Sequence, residues 1–145
     1  MGSKPLIKKK SGATTSSEVL LDTHTLLWLV STPEELSQAA RDVLEQKTCT
    51  IWVSAASAWE IAIKTRLGRL DGEALLSAWS DITADMTARE LPIEAADAIF
   101  AGRLTWQHRD PFDRMLVAQA TRRSLTIATR DEQILRAALT PTLKV

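Results

Sequence analysis

The sequence holds a single cysteine, Cys49, and only two histidines, His24 and His108, in 145 residues. One thiol cannot close an internal disulfide, so a small secreted fold held by cystines is excluded, and the short list of sulfur and imidazole ligands argues against a closed zinc cage. Long apolar runs are missing too. Stretches such as Thr25 to Val30 are far too short to span a bilayer, and the lysines near the N-terminus are not followed by an apolar signal segment. A cytoplasmic protein without a membrane partner is the expectation. Nor does one sign of charge prevail: 18 basic residues balance 18 acidic ones. Bulk attraction alone is therefore not the means by which this chain would hold a nucleic acid.

What is present suits one globular domain, with 45% hydrophobic and 25% charged residues. Residues 1–17, rich in Gly, Ser, Thr and Lys, show no apolar periodicity and read as a flexible basic tail, either vector-derived or an overcalled start. Lys4, Lys8, Lys9 and Lys10 lie there, so the domain expected over 18–145 carries a formal charge of −4.

From Glu18 the texture changes. Val19 to Leu21 reads as a buried strand, and Asp22 as the N-cap of a helix to Val30. A helix from Pro33 to Glu45 leads to a strand over Cys49 to Val53, after which Ser54 caps another helix. Glu73 to about Met86 is amphipathic, Ala88 to Pro92 short and extended, and Ile93 to Leu104 helical. Asp110 and Pro111 then form a strong start signal for a helix to about Arg123. Leu125 to Ala128 is a strand, Asp131 caps a last helix, and Leu143 to Val145 suits an edge strand. Strands separated by helices imply right-handed crossovers and a mainly parallel sheet covered on both faces, an α/β fold.

In such sheets the working crevice lies beyond the carboxyl ends of the strands. Asp22 and Asp131 follow strands, Asp113 lies in the first turn of the helix before the last of these strands, and Glu60 lies two turns beyond Ser54. Each has a structural explanation: Asp22 and Asp131 as N-caps, Asp113 in a capping box with Asp110, Glu60 in a surface ion pair with Lys64. Four such acids converging on one end of a sheet would form an anionic, oxygen-rich pocket that a hard cation, magnesium or manganese, relieves. The matching chemistry is metal-assisted phosphodiester hydrolysis. Of the arginines between Arg103 and Arg136, Arg114 and Arg130 adjoin proposed acids and are the candidates for phosphate.

Four blocks, LLDTHTLLW (Leu20 to Trp28), VSAASAWEIAIK (Val53 to Lys64), HRDPFDRMLVAQA (His108 to Ala120) and ATRDEQI (Ala128 to Ile134), resemble those of PIN-domain proteins of the VapC toxin family. They run in the family's order from about Val19 to the C-terminus. The resemblance implies a three-layer α/β/α PIN domain and a magnesium- or manganese-dependent endoribonuclease, the toxin of a type II toxin–antitoxin pair. Its partners would be an RNA substrate, a VapB-type antitoxin and a second copy in a homodimer. Carried over by position, the four family acids fall on Asp22, Glu60, Asp113 and Asp131, with Asp22 and Asp113 as metal ligands and Glu60 and Asp131 orienting water. Thr129 matches the family's small hydroxyl residue beside the fourth acid. Family members generally begin with a methionine just before the first strand, where this chain has its basic tail.

Lesser signals read structurally. His24 suits packing or hydrogen bonding in a first helical turn, and His108 a structural or substrate-lining role. Most of Trp28, Trp52, Trp59, Trp79 and Trp106 should be core, and Cys49 a small hydrophobe. A phosphohydrolase of the haloacid-dehalogenase type would need a second acid two residues after Asp22, where His24 stands. The other alternative is a PIN-like interaction module without turnover.

Overall fold

The computed structural model describes residues 16–145, so the tail expected over 1–17 falls, but for its last two residues, outside the described residues. The strands are β1 (Ser17–Leu21), β2 (Cys49–Ser54), β3 (Ala88–Leu91), β4 (Thr126–Thr129) and β5 (Thr142–Lys144). The helices are α1 (Thr23–Ser31), α2 (Gln38–Leu44), α3 (Ala55–Arg66), α4 (Glu73–Ser77), α5 (Trp79–Asp85), α6 (Ala95–Arg103), α7 (Pro111–Arg123) and α8 (Glu132–Ala137). Ser17 already pairs with Cys49, so the first strand begins inside the segment expected to be tail.

All five strands are parallel, in the order β3-β2-β1-β4-β5. The chain builds outward from β1 in one direction through β2 and β3, then returns to the other side with β4 and β5. The direction of winding therefore reverses between β1 and β4, where an open α/β sheet has its crevice. Register aligns the strand ends there, because Leu21 lies opposite Val53 on one side and Ala128 on the other.

Alternation along β1 divides the core into two layers. Val19 and Leu21 join Leu26, Leu29, Leu44, Ile51 and Ile61 on one face. Leu20 joins Leu116, Val117, Ala120, Ile127 and Ile134 on the other. Both faces are covered, which gives the three-layer α/β/α architecture. Each fully buried leucine or isoleucine contributes about 1.5–3 kcal/mol by leaving water.

Two long helical stretches break. Between Pro33 and Glu45 the chain forms a 3-10 turn and then restarts at Ser37, whose hydroxyl accepts from the Ala40 N–H at 3.1 Å. Ala78 interrupts the second at φ −111°, ψ 23°, and beyond it Trp79 and Ile82 pack against the first core layer. Cys49 is buried as expected, and four of the five tryptophans pack against the core layers at its margins. Trp28, Trp52, Trp79 and Trp106 are half-buried, while Trp59 is 56% exposed. No helix among the described residues is long and apolar enough to cross a membrane.

Candidate active site

The site begins where β1 stops. Asp22 turns out of the strand into α1 and caps it, its Oδ1 accepting from the Thr25 N–H at 2.8 Å. Its Oδ2 accepts from the Thr129 hydroxyl at 2.5 Å. Thr129 ends β4, and its oxygen accepts in turn from the Asp131 N–H at 3.0 Å. One buried hydroxyl thus ties the acid after β1 to the acid after β4 across the switch point. Asp22 is 5% exposed. Burial raises its pKa, and the hydrogen bonds from Thr129 and Thr25 oppose that rise. Asp22 and Asp131 share a cleft of about 280 Å³ with His24, Trp28 and Arg130.

Asp113 arrives from α7. Asp110 caps this helix through Oδ1, accepting from the N–H groups of Phe112 and Asp113, with Pro111 in the first turn. The reciprocal half of the expected capping box does not form, because the Asp113 carboxylate turns to His108 instead, Oδ2 to Nε2 at 2.7 Å. Burial, and then the negative charges of Asp110 and Asp131, push the Asp113 pKa up to about 6 against the bond to His108. His108, Asp113 and Asp131 each offer a ligand atom, all within 4.8 Å of one another.

Arg114 has a different task from the phosphate contact expected of it. Its Nε and Nη2 donate to the Ala101 carbonyl, Nη2 also to Leu104, and Nη1 to Trp106 and His108. All five N–H donors of the guanidinium are thereby occupied by main-chain oxygens. Arg114 is a strut that shapes the loop from α6 to His108, and through that loop it fixes His108 against Asp113. Arg130 does face the cleft. Its guanidinium lies 4.3 Å from the centre of the Trp28 ring and is held by the carbonyls of Val145 and Glu35.

The described partner of Glu60 is Lys64, one turn on along α3. The ion pair is the one expected, but it is no surface pair: Glu60 is 3% exposed and its Oε1 is buried without a hydrogen-bond partner. The ring of Trp59, beside it, meets Phe112 edge-on at 5.0 Å and so links α3 to α7 next to Glu60 and Asp113. His24, expected to pack or hydrogen-bond, is exposed on one side and packs against Trp28 at 5.7 Å between ring centres.

The family model of the PIN domain matches residues 19–139. The chain belongs to the PIN domain family. No curated protein sequence matches it. Among solved structures, this PIN domain is similar to VapBC2 from Rickettsia felis bound to a DNA fragment from their promoter, at TM-score 0.65 and 14% identity over 87% of this chain and 97% of that one. It is also similar to DNA-bound VapBC from Salmonella typhimurium, at 0.62 and 16% over 88% and 97%. FitAcB from Neisseria gonorrhoeae gives 0.56 and 22% over 87% and 96%.

The residues of this PIN domain fit a divalent cation. Two carboxylates and an imidazole converge, a third carboxylate is joined to them through Thr129, and Glu60 has a buried oxygen with no partner. An acid such as Asp113, raised by burial and by the negative charges of its neighbours, sits in the environment a cation relieves. His108, expected in a structural or substrate-lining role, bonds to Asp113 and joins this group. Its place five residues before Asp113 is decided by the loop that Arg114 holds, and the one available signal was its position just ahead of the Asp110-Pro111 helix start.

Proposed function

We propose that this PIN domain is a magnesium- or manganese-dependent endoribonuclease and the toxin of a type II toxin–antitoxin pair. The observation that carries the reading is the meeting of Asp22, Asp113 and Asp131 at the β1/β4 switch point, with Asp113 held at a pKa of about 6. Asp22 and Asp113 are the candidate cation ligands, with His108 and Asp131 in the same group and Glu60 orienting water. A divalent cation bound there supplies Lewis acidity toward a phosphoryl oxygen and lowers the pKa of water.

The chain's own groups do the rest. The Thr25 N–H and the Thr129 hydroxyl fix the Asp22 carboxylate, and the Arg114 strut sets His108 so that the Asp113 carboxylate has one orientation. Oriented carboxylates lower the reorganisation that reaction would otherwise demand. Arg130, stacked on Trp28 at the cleft wall, is the candidate to meet substrate phosphate. By resemblance to VapC proteins, a VapB-type antitoxin covers the groove and two copies pair as a homodimer.

The test is incubation of total RNA with purified, antitoxin-free protein in magnesium, in manganese and in chelator, beside Asp22→Ala. Discrete metal-dependent fragments that the variant does not produce are expected. A folded protein that cuts nothing in either metal would overturn the reading in favour of an interaction module.

A further inference from the structure

A second cleft, of about 270 Å³, adjoins the acidic one and is lined by Thr23, His24, Leu27, Lys64, Arg69 and Leu70. His24 borders both clefts. Its charged wall is cationic, and the end of α3 builds it. Gly68 adopts the left-handed conformation at φ 72°, its N–H donates to the Thr65 carbonyl at 3.1 Å, and the Arg69 N–H reaches back to the Lys64 carbonyl at 2.9 Å. This is the Schellman closure of a helix, which satisfies the last carbonyls and folds the residue after the glycine back over the final turn. It seats Arg69 beside Lys64. Among the described residues no carboxylate pairs with Arg69, while Lys64, 35% exposed, reaches from this cleft to Glu60.

Resting on the nuclease reading, we propose that this second cleft holds a backbone phosphate of the RNA strand next to the one at the acids. Two neighbouring clefts of opposite charge sharing a wall suit a polyanion whose one phosphate meets a cation among carboxylates while the next needs a direct positive partner. Arg69 supplies the exposed fork for that phosphate. Lys64 links the two events, because the ammonium that lines the second cleft also holds the Glu60 carboxylate.

The experiment is a titration of labelled single-stranded RNA into the full chain, in chelator, at salt between about 50 and 200 mM. It compares wild type with Arg69→Gln, Arg69→Lys and Arg69→Glu, with melting curves to verify folding, and wild-type cleavage in magnesium is followed in parallel. Arg69→Gln is expected to weaken binding about tenfold at low salt. The same variant should lower the slope of log K against log salt by about 0.7, the value of one single-strand phosphate. Arg69→Lys should retain the slope, and Arg69→Glu should lose more affinity than Arg69→Gln. If wild type cleaves RNA but the Arg69→Gln slope and affinity equal its own, the subsite is overturned and the nuclease reading stands. If wild type neither binds nor cleaves RNA, both fall. RNA affinity unchanged by Arg69→Gln, with loss of affinity for an acidic peptide, would assign the cleft to an acidic protein segment and also overturn the proposal.

Discussion

The carboxylate of Asp113 has its pKa raised to about 6 from an ordinary 3.8. The folded, metal-free chain therefore binds this proton more tightly than the unfolded chain does, so the residue's contribution to stability falls as pH rises from about 3.8 to about 6. Above that window it is a standing cost of about 2 kcal/mol, after allowance for screening of a partly exposed group. Asp113→Asn should remove the cost. We expect the metal-free variant to melt a few degrees higher than wild type at neutral pH and equally near pH 4, while cleavage falls at least about a hundredfold. Equal melting curves at neutral pH would show that the acids do not strain one another. Asp22, Asp113 and Asp131 were legible from their places after strands and at a helix start, because an N-cap is a local feature. The bond from Asp113 to His108 was not legible, since it depends on the path of a loop whose carbonyls the Arg114 guanidinium gathers only in the folded chain.

Between elements, the least exposed acid of all ties α6 to α7. Asp97, 0% exposed, accepts from Arg122 and Arg123 on α7 and from the Glu94 N–H at its own helix start. Burial alone would raise its pKa, but the hydrogen bonds from Arg123, Glu94 and Arg122 outweigh it and bring the value down to about 2. The stabilisation, of about 2 kcal/mol, is therefore present above the ordinary carboxylate pKa and disappears as pH falls toward about 2. Asp97→Asn should cost about 2–4 kcal/mol in denaturant unfolding at neutral pH, by leaving two guanidinium groups short of a charged acceptor. Arg114→Ala should leave its carbonyls unsatisfied and loosen the His108 loop. Faster amide exchange over 104–108, with α7 itself unchanged, is the expected result. Most elements could be read from caps and periodicity. The breaks at Ser37 and Ala78 could not, because turning Trp79 and Ile82 onto the core is a tertiary demand on a locally continuous pattern.

For the molecule as a whole, strand order decides the site. The reversal between β1 and β4 brings residues 107 positions apart, Asp22 and Thr129, into one hydrogen bond. A ligand held by that junction joins α1, α7 and α8 through their caps and the first turn of α7. A divalent cation should therefore raise the melting temperature of the entire chain in proportion to the logarithm of its concentration once the site is filled. Asp22→Ala should abolish that rise. A rise that survives in the variant would mean the ion binds elsewhere. A parallel α/β sheet was legible from the alternation of elements, whereas the order β3-β2-β1-β4-β5 rests on long-range pairing that a local pattern does not encode.

The Thr129 hydroxyl has one more consequence. Its proton lies between two residues almost sealed from solvent, Thr129 at 0% and Asp22 at 5% exposure. Such a proton exchanges slowly with water and resonates apart from the bulk, so nuclear magnetic resonance can follow it as a single line. Because its acceptor is a proposed cation ligand, that line is a built-in indicator of occupancy, readable on the unmodified chain without any substrate.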